Sequence, residues 1–325
     1  MSMPNSPFMV PATTPGFGEI ILTLLTAKKQ VLNTFTYQYP LKLIAPGLYK
    51  SPAEKHVTLV FLLTYGGGLV GGDKTNLKTT LNNHTRLVLL TQGSTKIFKS
   101  SSAATVSRQV INVKIGQGAS LCYLPDPTQP FKASVYEQRQ TFYVDPAGTS
   151  SLLMLDWVSE GRRARGENWT LSSWKGRNEV RHFDESSRGR LLLRDAVMLH
   201  EGDPGASLAH KTNNMGVFGT LIVYGPTFHE LGDFIMQEFA AQPRIGARAW
   251  DSEQGKTDVE AAVRPRQAAE NDDGLLWTAA NVRGFVLVKF GSTEVDGARR
   301  WLGSLLRRQG TVETEFGHQS LLCLR

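Results

Sequence analysis

From Leu77 to Leu199 the chain runs through one short strand candidate after another, with no helical segment between them. Leu77, Thr79 and Leu81 alternate with polar residues. Arg86 to Thr91, Val106 to Ile115, Ser120 to Leu124, Ser134 to Val144, Ser151 to Val158, Trp169 to Trp174, Glu179 to Phe183 and Leu191 to Leu199 come after them, separated by Gly, Pro, Asn, Asp or Ser. A period of two marks strands, and strands at this spacing without crossover helices leave only sandwiches, barrels or coils of stacked sheets. Upstream, Gly18 to Leu25, Val31 to Tyr37 and Val57 to Tyr65 read as further strands, and Leu41 to Lys50 carries Pro46-Gly47 as a turn.

Helical periodicity appears only late. Thr227 and Glu230 have capping-box spacing, and Phe228, Leu231, Phe234, Ile235 and Phe239 share one face of a helix expected to end near Gln242. A strand at Phe285 to Phe290 precedes a second helix, capped by Thr293 with Asp296, with Ala298, Trp301, Leu302, Leu305 and Leu306 on its apolar face. Arg307 and Arg308 suit its negative end, and Gly310 its stop. The expected fold is therefore mainly β, stacked sheets in a helical or sandwich-like arrangement, with two α-helices in the C-terminal third. Residues 1–17 read as a disordered tail and 18–325 as a single domain, interrupted at about 243–274 by a charged, apolar-poor insertion expected to be mobile.

The net charge of +7 is diffuse, and no Lys/Arg block is long enough for a nucleic-acid arm. The densest basic region, Arg162, Arg163, Arg165, Arg177, Arg181, Arg188, Arg190 and Arg194, leaves an RNA-binding β protein as the alternative reading, although the aromatic platform such proteins use is missing. Cys122 and Cys323 lie far apart and suit a reducing compartment. The N-terminus lacks the pattern of a signal peptide or presequence, and no apolar run reaches the ~20 residues of a membrane span. A soluble, cytoplasmic protein with neither membrane nor nucleic-acid partner is expected.

The stretch most suggestive of chemistry is the glycine cluster Gly66, Gly67, Gly68, Gly71 and Gly72, ending at Asp73. It comes after a strand, as a phosphate loop would. However, Asp73 stands where that loop needs Lys, Lys74 and Thr75 come one place late, and the next segment is strand rather than helix. A structural corner is the reading that survives. The nucleophile elbow is absent, the seven histidines are scattered, His200-Glu201-x-Asp203 suits a solvated turn, and Gly116-Gln117-Gly118 lacks the third glycine of a dinucleotide site. There remains a set of carboxylates near predicted turns: Asp73, Asp126, Glu137, Asp156, Glu160 and Glu167. Asp126 is held rigidly between Pro125 and Pro127. These residues by themselves lead to a soluble, mostly β protein that is not expected to be an enzyme.

GGGLVGGD at 66–73, TQGSTKIFK at 91–99, LPDPTQPFKASVYEQRQTF at 124–142 and LLMLDWVSEGRRARGE at 152–167 strongly resemble the urease accessory protein D family, and VFGTL at 217–221 looks like its next landmark. The resemblance implies a largely β, non-enzymatic scaffold that binds accessory protein F. Through F it recruits the nickel-carrying GTPase, accessory protein G, and the complex docks on apo-urease. It further implies an internal water-filled passage for Ni²⁺, with no permanently bound cofactor and GTP held only by the partner. Ions in transit need weak oxygen ligands rather than thiolate clusters. On this reading Asp73, Asp126 and Glu167 are expected to line or gate the passage, and the glycines 66, 67, 68, 71 and 72 to form a structural turn.

Overall fold

The computed structural model describes residues 14–25, 29–183, 189–200, 207–242 and 270–325, so most of the expected tail and residues 243–269 of the expected insertion lie outside the described residues. Strand accounts for 48% of the described residues and helix for 21%, as the alternation requires. One sheet has seven strands in the order β15 (Leu191–His200), β14 (Ser173–His182), β12 (Val135–Val144), β9 (Ser107–Ile115), β6 (Lys74–Leu81), β1 (Phe17–Leu24) and β2 (Gln30–Tyr37). The other runs β17 (Leu276–Val282), β18 (Phe285–Ser292), β16 (Val217–Tyr224), β13 (Ser151–Ser159), β10 (Ser120–Tyr123), β7 (Arg86–Leu90), β4 (His56–Thr64) and β3 (Leu41–Lys50). The short strands β5 (Gly68–Leu69), β8 (Thr95–Ile97) and β11 (Thr128–Pro130) extend it beside β13.

From β6 to β14 the main strands alternate between the two sheets, so the chain winds as a flattened coil. Consecutive turns pair in parallel: β6 with β9, β9 with β12 and β12 with β14 on one side, β7 with β10 and β10 with β13 on the other. Register is kept from turn to turn, with Leu77 opposite Ile111, Ile111 opposite Gln140 and Gln140 opposite Asn178.

Between the sheets lie Ile20, Leu22, Leu77, Leu81, Ile111, Val113, Phe142 and Val144 from the first, and Leu87, Leu89, Leu121, Leu152, Met154 and Ile222 from the second, all buried. The outer face of the second sheet is covered by α2 (His229–Ala240), α3 (Val295–Gln309) and α4 (Thr311–Phe316), whose Leu231, Ile235, Trp301, Leu302, Leu305 and Phe316 pack on Val88, Leu153, Leu155 and Leu221. Each such side chain contributes about 1.5–3 kcal/mol on burial. A further short helix, α1 (Leu208–Lys211), closes one end, where a smaller cluster gathers Leu69, Ile97, Tyr136, Trp169, Trp174 and Leu199.

Several local expectations change. Pro46-Gly47 is not a turn: β3 runs through it, and the register against β4 shifts between Ile44 and Gly47, a bulge on a sheet edge, where proline's missing N–H is tolerated. Trp169 to Trp174 is mostly loop, with Trp169 at φ 50°; its aromatic and apolar residues fill the end cluster, and the strand proper starts at Ser173. Neither predicted cap forms. Thr227 reaches Ser120 (2.9 Å between hydroxyls) and the main chain supplies a 3-10 turn before α2, while Thr293 donates to the Asp273 carbonyl (2.9 Å). Gly310 does end α3, at φ 87°. Residues 270–272, within the expected insertion, are helical, and Asp273 accepts from Ser292 as well as Thr293, so that end is built into the domain.

Phe228 and Phe316 stack at 5.5 Å, both buried, and join the entry to α2 with α4. Phe228→Ala is expected to cost about 3–5 kcal/mol of unfolding free energy, measured as a lowered midpoint in urea with an unchanged slope.

Candidate functional site

Strand parity dictates which side chains enter the space between the sheets. In β12, Phe142 and Val144 point inward, so Gln140, Gln138 and Tyr136 must do so too, and all five are buried. The same rule sends in Thr75 and Thr79 from β6, Asn178 from β14, Asp195 from β15, Asp156 from β13, Thr220 from β16 and Lys289 from β18. In-register pairing aligns Thr75, Gln109 and Gln138 across three strands, Gln140, Asn178 and Asp195 across another three, and Asp156, Thr220 and Lys289 across the facing sheet. A polar seam thus crosses an otherwise apolar sandwich.

Its centre is Asp156. Gln138 Nε2 donates to Oδ1 at 2.8 Å and Asn178 Nδ2 to Oδ2 at 2.7 Å, so the other sheet reaches over to hold this carboxyl with two neutral amides. Beside it, Asp195 accepts from Thr220 Oγ1 at 2.9 Å and from the Lys289 ammonium, which also approaches Thr220 Oγ1 at 2.7 Å. The Tyr136 hydroxyl donates to Gln109 Oε1 at 3.0 Å, with Gln138 Oε1 at 3.2 Å. Burial pushes the Asp156 carboxyl above the usual carboxylate range and the Asp195 charge adds to it, while the two amide bonds and Lys289 pull the other way.

Around this centre, Thr75 Oγ1, Thr79 Oγ1, Gln140 Oε1, Asn178 Oδ1 and Trp174 Nε1 are buried without a hydrogen-bond partner among the described residues. A polar group left so costs about 1–3 kcal/mol, so several of them in one region set it apart from a packed apolar core. A cleft of about 280 Å³, lined by Asp156, Trp157, Trp174, Phe218, Thr220 and Lys289, opens the seam toward the surface.

The carboxylates singled out from sequence lie elsewhere. Asp73 closes a turn: its Oδ2 accepts from Val70 N at 2.9 Å and its own N–H donates to the Val70 carbonyl. The glycine stretch before it carries the chain from β4 in one sheet to β6 in the other, with Gly66 and Gly67 at φ 74° and 73°, and Gly68 so close to β8 that a Cβ would stand 2.3 Å from the Lys96 carbonyl oxygen. Asp126 accepts from Gly93 N (2.9 Å), Thr91 Oγ1 (3.2 Å) and Arg299 Nη2 (3.0 Å), and Arg299 Nε also holds the Cys323 carbonyl, so this carboxylate fastens α3 and the C-terminal segment to the second sheet. Glu167 is buried and gripped by Arg162 through both side chain and backbone, which lowers its pKa; neighbouring Glu160, raised by burial, pairs with Arg163 and keeps Oε2 unpartnered among the described residues. Among the described residues, no group of three or more His, Cys, Asp or Glu converges as a metal cage.

The sequence places Asp156 near a turn, but it sits within β13 at the parity of Leu152 and Met154. Gln138, Gln140, Asn178, Asp195, Thr220 and Lys289 escape sequence reasoning altogether. The available signal is polar residues at inward parity, in strands whose other inward positions are Leu, Val or Phe. Of the arginines in the basic region, Arg162, Arg163, Arg181 and Arg194 are each paired with a glutamate.

A coil of two stacked sheets with a charged interior seam and one helical layer defines a class of β scaffold. The chain belongs to the UreD urease accessory protein family, whose match spans residues 18–321. It is 29% identical over 269 residues to an uncharacterised ureD-like urease accessory protein of Schizosaccharomyces pombe, covering 82% of this chain and 84% of that one. It is 29% identical to urease accessory protein 4 of Cryptococcus neoformans (82% and 89% covered), and 36% identical over 212 residues to urease accessory protein UreD of Sorangium cellulosum (65% and 62% covered). No helix among the described residues is long and apolar enough to cross a membrane.

A carboxyl whose folded pKa is raised stabilises the fold below its unfolded value, near 4, and that contribution is lost as pH rises through the folded value. Asp156→Asn removes the titration, so its stability relative to the unsubstituted protein is expected to increase from about pH 4 to pH 7. Urea midpoints at the two pH values measure this; a constant difference would contradict the raised pKa.

Proposed function

We propose that this protein serves urease maturation as a non-catalytic cytoplasmic scaffold. With accessory protein F and the GTPase accessory protein G it delivers Ni²⁺ into apo-urease, and the inter-sheet seam is the ion's route. The observation that carries this reading is the group of polar atoms around Asp156 that have no partner among the described residues, at a depth where a protein of this architecture needs only apolar side chains. Carboxylate and amide oxygens hold Ni²⁺ weakly enough to release it, whereas thiolates would retain it. The two cysteines fit that division: burial pushes the Cys323 thiol up to about 12 and the Cys122 thiol higher, so neither offers a thiolate near neutral pH.

The proposal extends to the three carboxylates outside the seam. Asp126 and Glu167 act as stations whose arginine partners, Arg299 and Arg162, give way to a passing cation. Asp73 acts through the crossover that seats β6 and its two threonines. GTP is bound and hydrolysed by the partner.

The deciding experiment co-expresses this chain with urease and the other accessory proteins. Omitting it is expected to leave urease without nickel and without activity; normal nickel content and activity would end the maturation reading. Asp156→Ala is expected to lower urease-bound nickel and activity about 10-fold or more while F is still captured at wild-type yield. Full activation by this variant would remove the seam from the route. Asp73→Ala is expected to lower thermal stability and activation together, which separates a residue that holds the crossover from one that binds the ion.

A further inference from the structure

Lys289 is the one cation that contacts a seam carboxylate among the described residues, and its placement is unlike that of the arginines on the surface. It rises from β18 in one sheet and crosses to Asp195 in the other, with Thr220 beside both. Asp195 is 11% exposed and Lys289 37%, so the carboxylate is fixed inside while the ammonium sits at the end of a four-carbon stem that reaches the cleft mouth. Asp156, one strand further in, receives no direct cation, only the amides of Gln138 and Asn178. Two carboxylates therefore share a single ammonium.

The groups around them point to a second cation. Asn178 and Gln140 are each 2% exposed, they face one another in register, and Asn178 also pairs with Asp195. Asn178 gives an amide N–H to Asp156, and among the described residues both Asn178 Oδ1 and Gln140 Oε1 are acceptors without a donor. Carboxylate and amide oxygens without thiolates form a hard donor set suited to a divalent ion.

Charge decides what happens to Lys289 when such an ion arrives. With both carboxylates ionised and Lys289 in place, the site carries one net negative charge. A divalent ion with Lys289 expelled makes it neutral, whereas a divalent ion with Lys289 retained leaves a net positive charge with two cations in contact inside a poorly screened interior. We propose that Lys289 is a displaceable counter-cation: its ammonium holds Asp195 until a divalent ion settles between Asp156 and Asp195 and drives it out to the cleft mouth, so that the two occupancies exclude each other. Return of the ammonium to Asp195 then helps to eject the ion. This rests on the seam being a cation route and specifies how that route is gated.

The test uses the purified full chain and NiCl₂ alone. In isothermal titration, Lys289→Met, which keeps the stem and removes the charge, is expected to bind Ni²⁺ roughly tenfold tighter, the effect of about one unit of log affinity from a close charge. It should also release the ion to a chelator correspondingly more slowly. Lys289→Arg retains a cation and is expected to stay near the unsubstituted affinity, and Asp195→Asn to weaken binding. In the unsubstituted protein, acylation of Lys289 followed by mass spectrometry is expected to rise several-fold when Ni²⁺ is saturating. Circular dichroism confirms that each variant is folded. If Ni²⁺ binds in an Asp156-dependent manner but neither the Lys289→Met affinity nor the labelling changes, the gate is wrong and the route stands. If no protein, variant or not, binds Ni²⁺ through Asp156, route and gate fall together.

Discussion

Parallel stacking in register is the constraint on which the rest of this molecule depends. Because each turn of the coil gives one strand to each sheet, a residue's level along its strand is inherited by the next turn, and like positions line up across the sheet. The apolar levels, such as Leu77 beside Ile111 or Leu89 beside Tyr123, close the core. The same rule, applied where the inward residues are Gln, Asn, Asp and Thr, brings buried polar groups together in neighbouring strands. Shifting one strand by a single residue would turn Asp156 out and Trp157 in, so the seam and the core are secured by one register.

Asp156 shows how the two sheets cooperate. Its own sheet supplies the carboxyl and the opposite sheet supplies both amide donors, so neither sheet alone makes the site. Asp195 and Lys289 repeat the relation in reverse, with the carboxylate on the seven-stranded sheet and the ammonium on the other. These contacts join the layers electrostatically where apolar packing thins, which is why a cleft can open there while the sandwich stays closed elsewhere. On the far face, Arg299 ties α3, Asp126 and the Cys323 carbonyl into one node, so the helical layer is held by a few directional contacts added to a broad apolar surface.

On the proposed role of passing an ion onward, these features divide into a frame and an interior. The frame is the stacked coil, and the interior is a set of side-chain oxygens assembled from seven strands. The glycine corner that invites comparison with a phosphate loop is part of the frame: Gly66 and Gly67 take backbone conformations open to glycine, and Asp73 locks the turn that sends the chain into β6.

The amino-acid sequence by itself determined the strand-rich class, the placement of most strands, the two long amphipathic helices, the stop at Gly310 and the family, because all of these arise from local periodicity, turn chemistry and ordered motifs. Tertiary structure alone decided which polar residues meet. Gln138, Asp156, Asn178, Asp195 and Lys289 are spread over about half of the chain, and only the pairing of strands and the facing of sheets brings them together. It also decided that Asp126 and Glu167 are occupied by arginines, and that Thr227 and Thr293 bond elsewhere than at the helix ends their spacing suggests. In each case a long-range partner outcompetes the local one, and local spacing carries no information about which distant group will be near.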